Sequence, residues 1–177
     1  MTRIVVIFGL ISGAIAAALM WIMFAVMNTG ILGHSLVLGY ATMIISLSLV
    51  FFGVKSYRDN NGGRITFFKG LQVGILISLI CAVCYAASWE VYYRTSGGNF
   101  MAEYTVQYIA DMKEKGASED LIAKTQKDMA DFAVMYQNFF VRFGMTLLEI
   151  VPVGIVVALV SAGLLRKREM LPTAEPA

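Results

Sequence analysis

The fold is decided by residues 4–27, IVVIFGLISGAIAAALMWIMFAVM, a stretch that contains no charged side chain. An α-helix rises about 1.5 Å per residue, so about 20 residues cross the hydrocarbon core of a bilayer, which is about 30 Å thick. Lipid offers no hydrogen bonds to an open backbone, so an apolar run of this length is expected to be helical. The run also exceeds the apolar part of a signal peptide, which has about 7–15 residues. We therefore expect an uncleaved membrane-spanning helix.

Three further apolar runs follow, at residues 36–54, 70–93 and 143–165. Of all residues 58% are hydrophobic and 15% are charged, whereas a soluble domain averages about 45–50% apolar and about 25% charged residues. We expect an all-α membrane protein, a four-helix transmembrane bundle that forms a single domain over residues 1–170. Residues 171–177 contain two prolines and are expected to be a disordered tail.

The basic residues predict how the chain is oriented in the membrane. Eight of them flank those ends of the four runs that fall on one side of a four-pass chain. On the other side, the connection at 28–35 has no lysine or arginine, and the long segment at 95–141 has four lysines against seven acidic residues. Lysine and arginine near the ends of spans mark the cytoplasmic side. We therefore expect a multi-pass protein of the inner (cytoplasmic) membrane with both termini in the cytoplasm. The residues concerned are Arg3, Lys55, Arg58, Arg64, Lys69, Arg166, Lys167 and Arg168.

The segment between the third and fourth runs is expected to form an extracytoplasmic helical hairpin over residues 100–138. Gly116 is a typical helix stop and Ser118 a typical N-cap, so two helices meet there. The second helix and the fourth span are either continuous or interrupted near Gln137–Asn138. Each hairpin helix carries an apolar stripe, which packs either within the protein or against a partner protein or lipid headgroups. The stripes contain Phe100, Tyr104, Tyr108 and Met112, and then Ile122, Met129, Phe132 and Tyr136.

Small residues spaced four apart predict close contacts between the membrane helices. In lipid, helices associate where small side chains let their backbones approach. Packing within one chain is the favoured interpretation, and a seam between two copies of the chain is the alternative. The residues predicted to make these contacts are Gly9, Gly13, Gly70, Gly74, Gly154 and Ala158.

The candidate polar site inside the membrane centres on Glu149, which lies seven residues after Arg142 and thus about 10 Å farther along the fourth helix. A carboxylate at the centre of a span costs about 2.5–3.5 kcal/mol. Pro152 removes a backbone donor nearby and bends the helix. Glu90 and Arg94 lie near the outer end of the third helix, and the four charges form a neutral cluster if the two helices touch. Three interpretations of Glu149 remain open: it is paired to a buried cation, it is neutral and hydrogen-bonded, or it titrates as part of a transport path.

The sequence shows no catalytic, cofactor-binding or metal-binding set of residues. Cys81 and Cys84 have the spacing of half a zinc site, but the other ligands are missing and both cysteines lie within an apolar run, so we interpret them as packing residues. His34 lies in a short outer loop and is expected to be solvated. We expect no cofactor, no metal and no enzymatic activity, and a net charge of +2 is too small to indicate nucleic-acid binding.

Three ordered stretches also resemble a known family. Residues 40–59, with YATMII at the start and FGVKSYRD at the end, look like its first hallmark. GRITFFK at 63–69 looks like the second and LEIVPVG at 148–154 like the third. On these motifs the chain resembles, over nearly its whole length, the bacterial membrane family known as domain of unknown function 4199. The resemblance implies a four-span bacterial protein and supplies no activity or substrate. Val151 departs from the third motif, where an aromatic residue is usual, and Glu149 and Pro152 are unaffected.

Three functions remain open, of which a membrane enzyme is the least favoured because no catalytic set is visible. The first is a non-enzymatic membrane subunit or binding protein that uses the external hairpin as its partner surface. The second is a small transporter of solutes or ions that uses Glu149 beside Pro152. The expected partners are the lipid bilayer and either a second copy of the chain or another membrane or periplasmic protein.

Overall fold

The structure is a computed structural model, and it describes residues 1–27, 36–98 and 100–166. The predicted solvated loop with His34 and the predicted tail at 171–177 lie outside these ranges. Within them the chain forms six helices and no strand. The helices are α1 (Thr2–Met27), α2 (Leu36–Asp59), α3 (Phe67–Thr95), α4 (Phe100–Glu114), α5 (Glu119–Tyr136) and α6 (Phe139–Leu165).

Four of the helices, α1, α2, α3 and α6, are long and apolar enough to cross a membrane. The predicted all-α fold, with four spans and a helical hairpin between the third and fourth, is thereby confirmed. The helices extend beyond the apolar runs, since α2 continues to Asp59 and α6 already begins at Phe139. Backbone hydrogen bonding continues through the polar flanks, because helical geometry does not depend on lipid around the side chains.

The described residues group into two compact units, whereas the sequence analysis treated 1–170 as one domain. The bundle unit comprises the described residues of Met1–Ser88 and Leu147–Ala177. The hairpin unit comprises the described residues of Trp89–Thr146. The first therefore contains α1, α2 and most of α3 and α6, and the second contains α4 and α5 with the adjoining ends of α3 and α6.

Apolar residues from all four spans form the core of the bundle unit. Its fully buried members include Leu47 and Val50 of α2 and Ile77 of α3. Ile150 and Ala158 of α6 belong to the same cluster, as does Cys81. Cys81 is thus a core residue, as its apolar surroundings in the sequence suggested.

Glycines set the distances between α3 and its neighbours. A Cβ atom on Gly74 would lie 2.8 Å from the Cβ atom of Ala158, and one on Gly154 would lie 2.7 Å from the Cβ atom of Ser78. Both distances are shorter than real Cβ contacts, so the α3 and α6 backbones approach as closely as they do only because these positions lack a side chain. Gly70 makes a similar contact with Ala162, where the distance would be 3.2 Å.

Glycines also allow α1 to approach α3 closely. A Cβ atom on Gly9 would lie 2.7 Å from Ile80 Cβ, and one on Gly13 would lie 2.5 Å from Cys84 Cβ. The six small residues singled out in the sequence therefore all lie at contacts between helices of one chain. The order of the contacting residues also gives the helix directions. Residue numbers rise together along the contacts of α1 with α3, so these helices run parallel, and they rise in one helix and fall in the other for α3 and α6, which run antiparallel.

Serine hydroxyl groups add polar contacts inside the bundle unit. Ser12 Oγ donates a hydrogen bond of 2.6 Å to the carbonyl oxygen of Ser46, which joins α1 to α2. Ser78 Oγ lies 2.9 Å from the carbonyl oxygen of Gly74 and 3.3 Å from that of Gly154. Hydrogen bonds of this kind between membrane helices each contribute about 0.6 kcal/mol on average.

In the hairpin unit, α4 ends and α5 begins where the sequence indicated. Gly116 has φ +74°, the left-handed conformation that ends many helices, and the Ala117 N–H bonds to the Met112 carbonyl at 3.0 Å. Ser118 caps α5, because its hydroxyl oxygen accepts from the Leu121 N–H at 3.4 Å. Of the two predicted connections between α5 and the last span, the chain takes the interrupted one. Gln137 and Asn138 separate the helices, and Asn138 Oδ1 accepts from the Phe140 N–H at 2.9 Å.

Candidate functional site

The central polar feature of the hairpin unit is an ion pair between Arg142 of α6 and Glu90 of α3. Arg142 Nε donates to Glu90 Oε1 at 2.7 Å, and Arg142 Nη2 donates to Glu90 Oε2 at 2.6 Å. The side chains are only 4% and 8% exposed, respectively. Two parallel hydrogen bonds between a guanidinium and a carboxylate fix both distance and orientation. The pair therefore holds the end of α3 against the start of α6.

The same guanidinium also closes the end of α5. Arg142 Nη1 donates to the carbonyl oxygens of Tyr136 at 2.8 Å and Gln137 at 3.3 Å. Carbonyl groups in the last turn of a helix have no partner within the helix and carry partial negative charge, so a cation is favourable there. Arg142 consequently joins three helices, α3, α5 and α6, within this unit.

Aromatic rings surround the ion pair. The guanidinium carbon of Arg142 lies 3.9 Å from the centroid of the Tyr93 ring, a close cation–π contact. Tyr93 packs edge-on to Tyr136, and the Tyr136 hydroxyl oxygen accepts a hydrogen bond of 2.9 Å from Trp89 Nε1. The rings exclude water from the pair, which strengthens the attraction between its two charges.

Of the four charges that the sequence proposed as one cluster, the structure brings together Glu90 and Arg142. Arg94 is exposed at the end of α3, and Glu149 is exposed on α6. The packing of α3 and α6 determines this outcome, because the side chains that face each other across two helices depend on how each helix is rotated about its axis. Glu149 thus lies on an outer surface of the bundle unit.

The surroundings of Glu149 are apolar. Its neighbour Leu148 is 74% exposed, and Pro152, one turn farther on, is exposed as well. Pro152 has no N–H to donate to the carbonyl of Leu148, so one backbone acceptor is left without its helical partner beside the carboxylate.

The hairpin buries different residues from those that the stripe on α4 indicated. Met101 and Ile109 are the buried residues of α4, whereas Tyr104 is half-buried and Tyr108 is exposed. The rings of Phe100, Tyr104 and Tyr108 stack along the helix, with successive centroids 6.1 Å apart. Residues spaced four apart are rotated by about 40° per step around a helix. The row of rings therefore starts on the buried side of α4 and turns towards the exposed side by Tyr108.

One outer face of α4 is partly apolar. Val106 is 70% exposed and lies in a shallow, open depression that is also lined by Ala102, Glu103 and Gln107. On α5, Val134 is exposed to the same extent. A single exposed apolar side chain is normal on a protein surface, whereas a contiguous apolar patch marks an interaction site. Ala102 and Val106 lie one turn apart on α4 and are both exposed, so this face is a candidate for such a patch.

Reasoning from the sequence missed the groups that complete the Arg142 site. Tyr136 was assigned to an apolar stripe, but both its carbonyl oxygen and its hydroxyl group bind partners in the site. Trp89 and Tyr93 were not among the candidate site residues. The available signal was the position of Arg142 just after the break between α5 and α6. A buried arginine needs several hydrogen-bond acceptors, and the carbonyl groups at the end of a helix have no partner within it.

In the described ranges, His, Cys, Asp and Glu side chains do not gather in any group of three or more that could hold a metal ion. A family model described as "Protein of unknown function (DUF4199)" matches residues 7–167. No curated protein and no solved structure matches the chain.

Proposed function

The chain belongs to the DUF4199 family, whose description names no activity, and from its own residues we propose that it is a non-enzymatic membrane subunit or binding protein. Its partner surface lies on the external α4–α5 hairpin, on the outer face of α4 around Val106. The observation that carries this proposal is Val106, an apolar side chain that is 70% exposed on a helix that also carries Glu103, Asp111, Lys113 and Glu114.

The anchoring of the hairpin supports this role. Arg142 ties the end of α5 to α3 and α6 through hydrogen bonds of 2.6–3.3 Å, so α5 is held firmly at its base. A rigid surface loses less conformational entropy when it binds a partner. An ion pair placed at the base of a hairpin is consistent with a platform for binding.

The charge of the hairpin favours a protein partner over a lipid surface. Residues 100–138 contain four lysines and seven acidic residues, and the acidic residues are exposed. Anionic headgroups attract basic segments, so an acidic hairpin is repelled by them. We propose a membrane or periplasmic protein as the partner.

Photo-crosslinking in cells tests this surface. A photoreactive phenylalanine replaces Val106 in one variant and Ala130, an exposed residue of α5, in the control. We expect a discrete crosslinked protein from position 106 and none from position 130. Equal, diffuse crosslinking from both positions, or crosslinking to lipid alone, would count against a partner surface on α4.

We also propose a bacterial inner-membrane location, with both termini in the cytoplasm and the hairpin outside. This rests on the basic residues that flank one side of the four spans. A membrane-impermeant maleimide should label Lys115→Cys in cells with a permeabilised outer membrane, and should spare Asn60→Cys in the α2–α3 connection. Both positions are exposed, so reactivity reports the side of the membrane. Labelling of Asn60→Cys alone would reverse the orientation.

A small transporter of ions or solutes that uses Glu149 beside Pro152 is the second candidate. An ionisable side chain inside a span is a default candidate for an ion or proton pathway. Purified protein in liposomes tests it through proton flux, with wild type compared against Glu149→Gln. Flux at the background level in both proteins would remove this candidate.

A further inference from the structure

The outer face of α6 combines a carboxylate with a broad apolar surface. Glu149 lies ten residues from the start of α6 and sixteen from its end, so it is about 15 Å and about 24 Å from these ends. It is therefore well inside the apolar part of a span. In the part of this helix that belongs to the bundle unit, the exposed large apolar residues are Leu148, Ile155, Val156, Leu159, Val160 and Leu164.

Among the described residues of the bundle unit, no basic side chain lies beside Glu149 within its span. The described basic side chains lie near helix ends or in connections, and the one on the same chain segment, Arg166, is about 25 Å away along the helix. An ionised carboxylate at the centre of a span costs about 2.5–3.5 kcal/mol, which favours the neutral carboxyl group. A neutral carboxyl group still has a hydrogen-bond donor and acceptors that lipid cannot satisfy, so a polar group from outside the chain is expected to cover it.

The small-residue rows are not available for contacts between copies. Gly9, Gly13, Gly74 and Gly154 already lie against Ile80, Cys84, Ala158 and Ser78 within one chain, where an added Cβ would be 2.5–2.8 Å from its neighbour. By contrast, a Cβ on Gly163 would meet nothing within 4 Å. On a helix, Gly163 falls on the same side as Pro152 and Val156, so the outer face of α6 carries one glycine against which no described helix of the chain packs.

We propose that the outer face of α6 is an interface with a second copy of this chain, in which the two Glu149 carboxyl groups hydrogen-bond to each other. A two-fold axis places the same residue of both copies face to face. A neutral carboxyl group both donates and accepts, so its own copy is a fully complementary partner. Gly163 has no side chain and Pro152 has only a compact ring, so these positions let two α6 helices approach closely. The proposal is independent of the hairpin surface.

Cysteine crosslinking in membranes tests the position of the interface. Cys81 and Cys84 are first replaced by alanine, and Val156→Cys is compared with Ile22→Cys on α1. The two native side chains are both 59% exposed, so lipid access is matched. Copper-phenanthroline oxidation should convert Val156→Cys, and not Ile22→Cys, to a disulfide-linked dimer. Equal yields in both variants, or an adduct of Val156→Cys with a different protein only, would overturn the proposal.

The role of the carboxyl group is tested by energy transfer between labelled copies in liposomes at increasing lipid dilution. Glu149→Leu should weaken association about tenfold, because two hydrogen bonds between helices are lost. Glu149→Gln should keep most of it, since a carboxamide can also donate and accept with its own copy. Thermal melting in detergent verifies that both variants are folded. Wild-type association of a folded Glu149→Leu variant would overturn the carboxyl pairing.

Discussion

Arg142 and Glu90 are joined by two parallel hydrogen bonds of 2.7 and 2.6 Å, although 52 residues separate them in the sequence. The contact links the end of α3 to the start of α6, and the same guanidinium binds the last carbonyl groups of α5. Because both side chains are nearly fully buried, either charge left alone would be poorly solvated. Removal of either charge is therefore expected to destabilise the hairpin unit.

We predict that Glu90→Gln lowers the stability of the protein by about 3–5 kcal/mol, because it leaves the Arg142 charge buried without its counter-ion. Thermal unfolding in detergent, followed by a fluorescent fusion, measures the change. Arg94→Gln is the control: Arg94 is exposed on the same helix, and its replacement should change stability by less than about 0.5 kcal/mol. Equal losses in both variants would show that the pair has no special role.

Arg142→Lys should also be destabilising, although it keeps the positive charge. A lysine cannot form the two-point contact with Glu90 and still reach the carbonyl groups of Tyr136 and Gln137. We expect the loss to appear first at the end of α5, as faster hydrogen exchange of its last-turn amides. Unchanged exchange there would mean that the carbonyl contacts of Arg142 do not stabilise α5.

Gly74→Ala should destabilise the bundle unit by about 1–3 kcal/mol, because the added Cβ atom would lie 2.8 Å from Ala158 Cβ and 3.1 Å from its Cα atom. Backbone-linked atoms cannot move aside as the end of a long side chain can. Gly144→Ala is the matched control on α6, where a Cβ atom meets nothing within 4 Å. That change should be neutral or stabilising by up to about 1 kcal/mol, because alanine favours helix over glycine. Similar melting temperatures for the two variants would contradict the close approach of α3 and α6.

Ser118→Ala should weaken the start of α5 by about 1 kcal/mol, because it removes the acceptor for the Leu121 N–H. Ser118→Asp keeps an acceptor and should preserve stability. Hydrogen exchange of the α5 first-turn amides distinguishes the two variants. If alanine and aspartate behave alike, the cap contributes nothing measurable.

Some features of the site could be inferred from the sequence and others could not. Gly116, Ser118 and the break at Gln137–Asn138 were readable because the ends of helices depend on residues within one turn. The partner of Arg142 could not be inferred, since Glu149 on the same helix was as plausible a counter-ion as Glu90. Only the rotation of α3 and α6 about their axes decided that Glu90 faces Arg142.

The sequence by itself determined the four spans and the helical hairpin, because lipid requires long apolar helices and local capping residues mark helix ends. Only the tertiary structure decided which faces of these helices meet. It placed the glycines of α1 and α3 inside the bundle unit, buried Ile109 in place of Tyr108, and left Glu149 on an outer surface. The physical reason is that facing side chains are chosen by packing between distant segments, for which the hydrophobic pattern of one helix contains too little information.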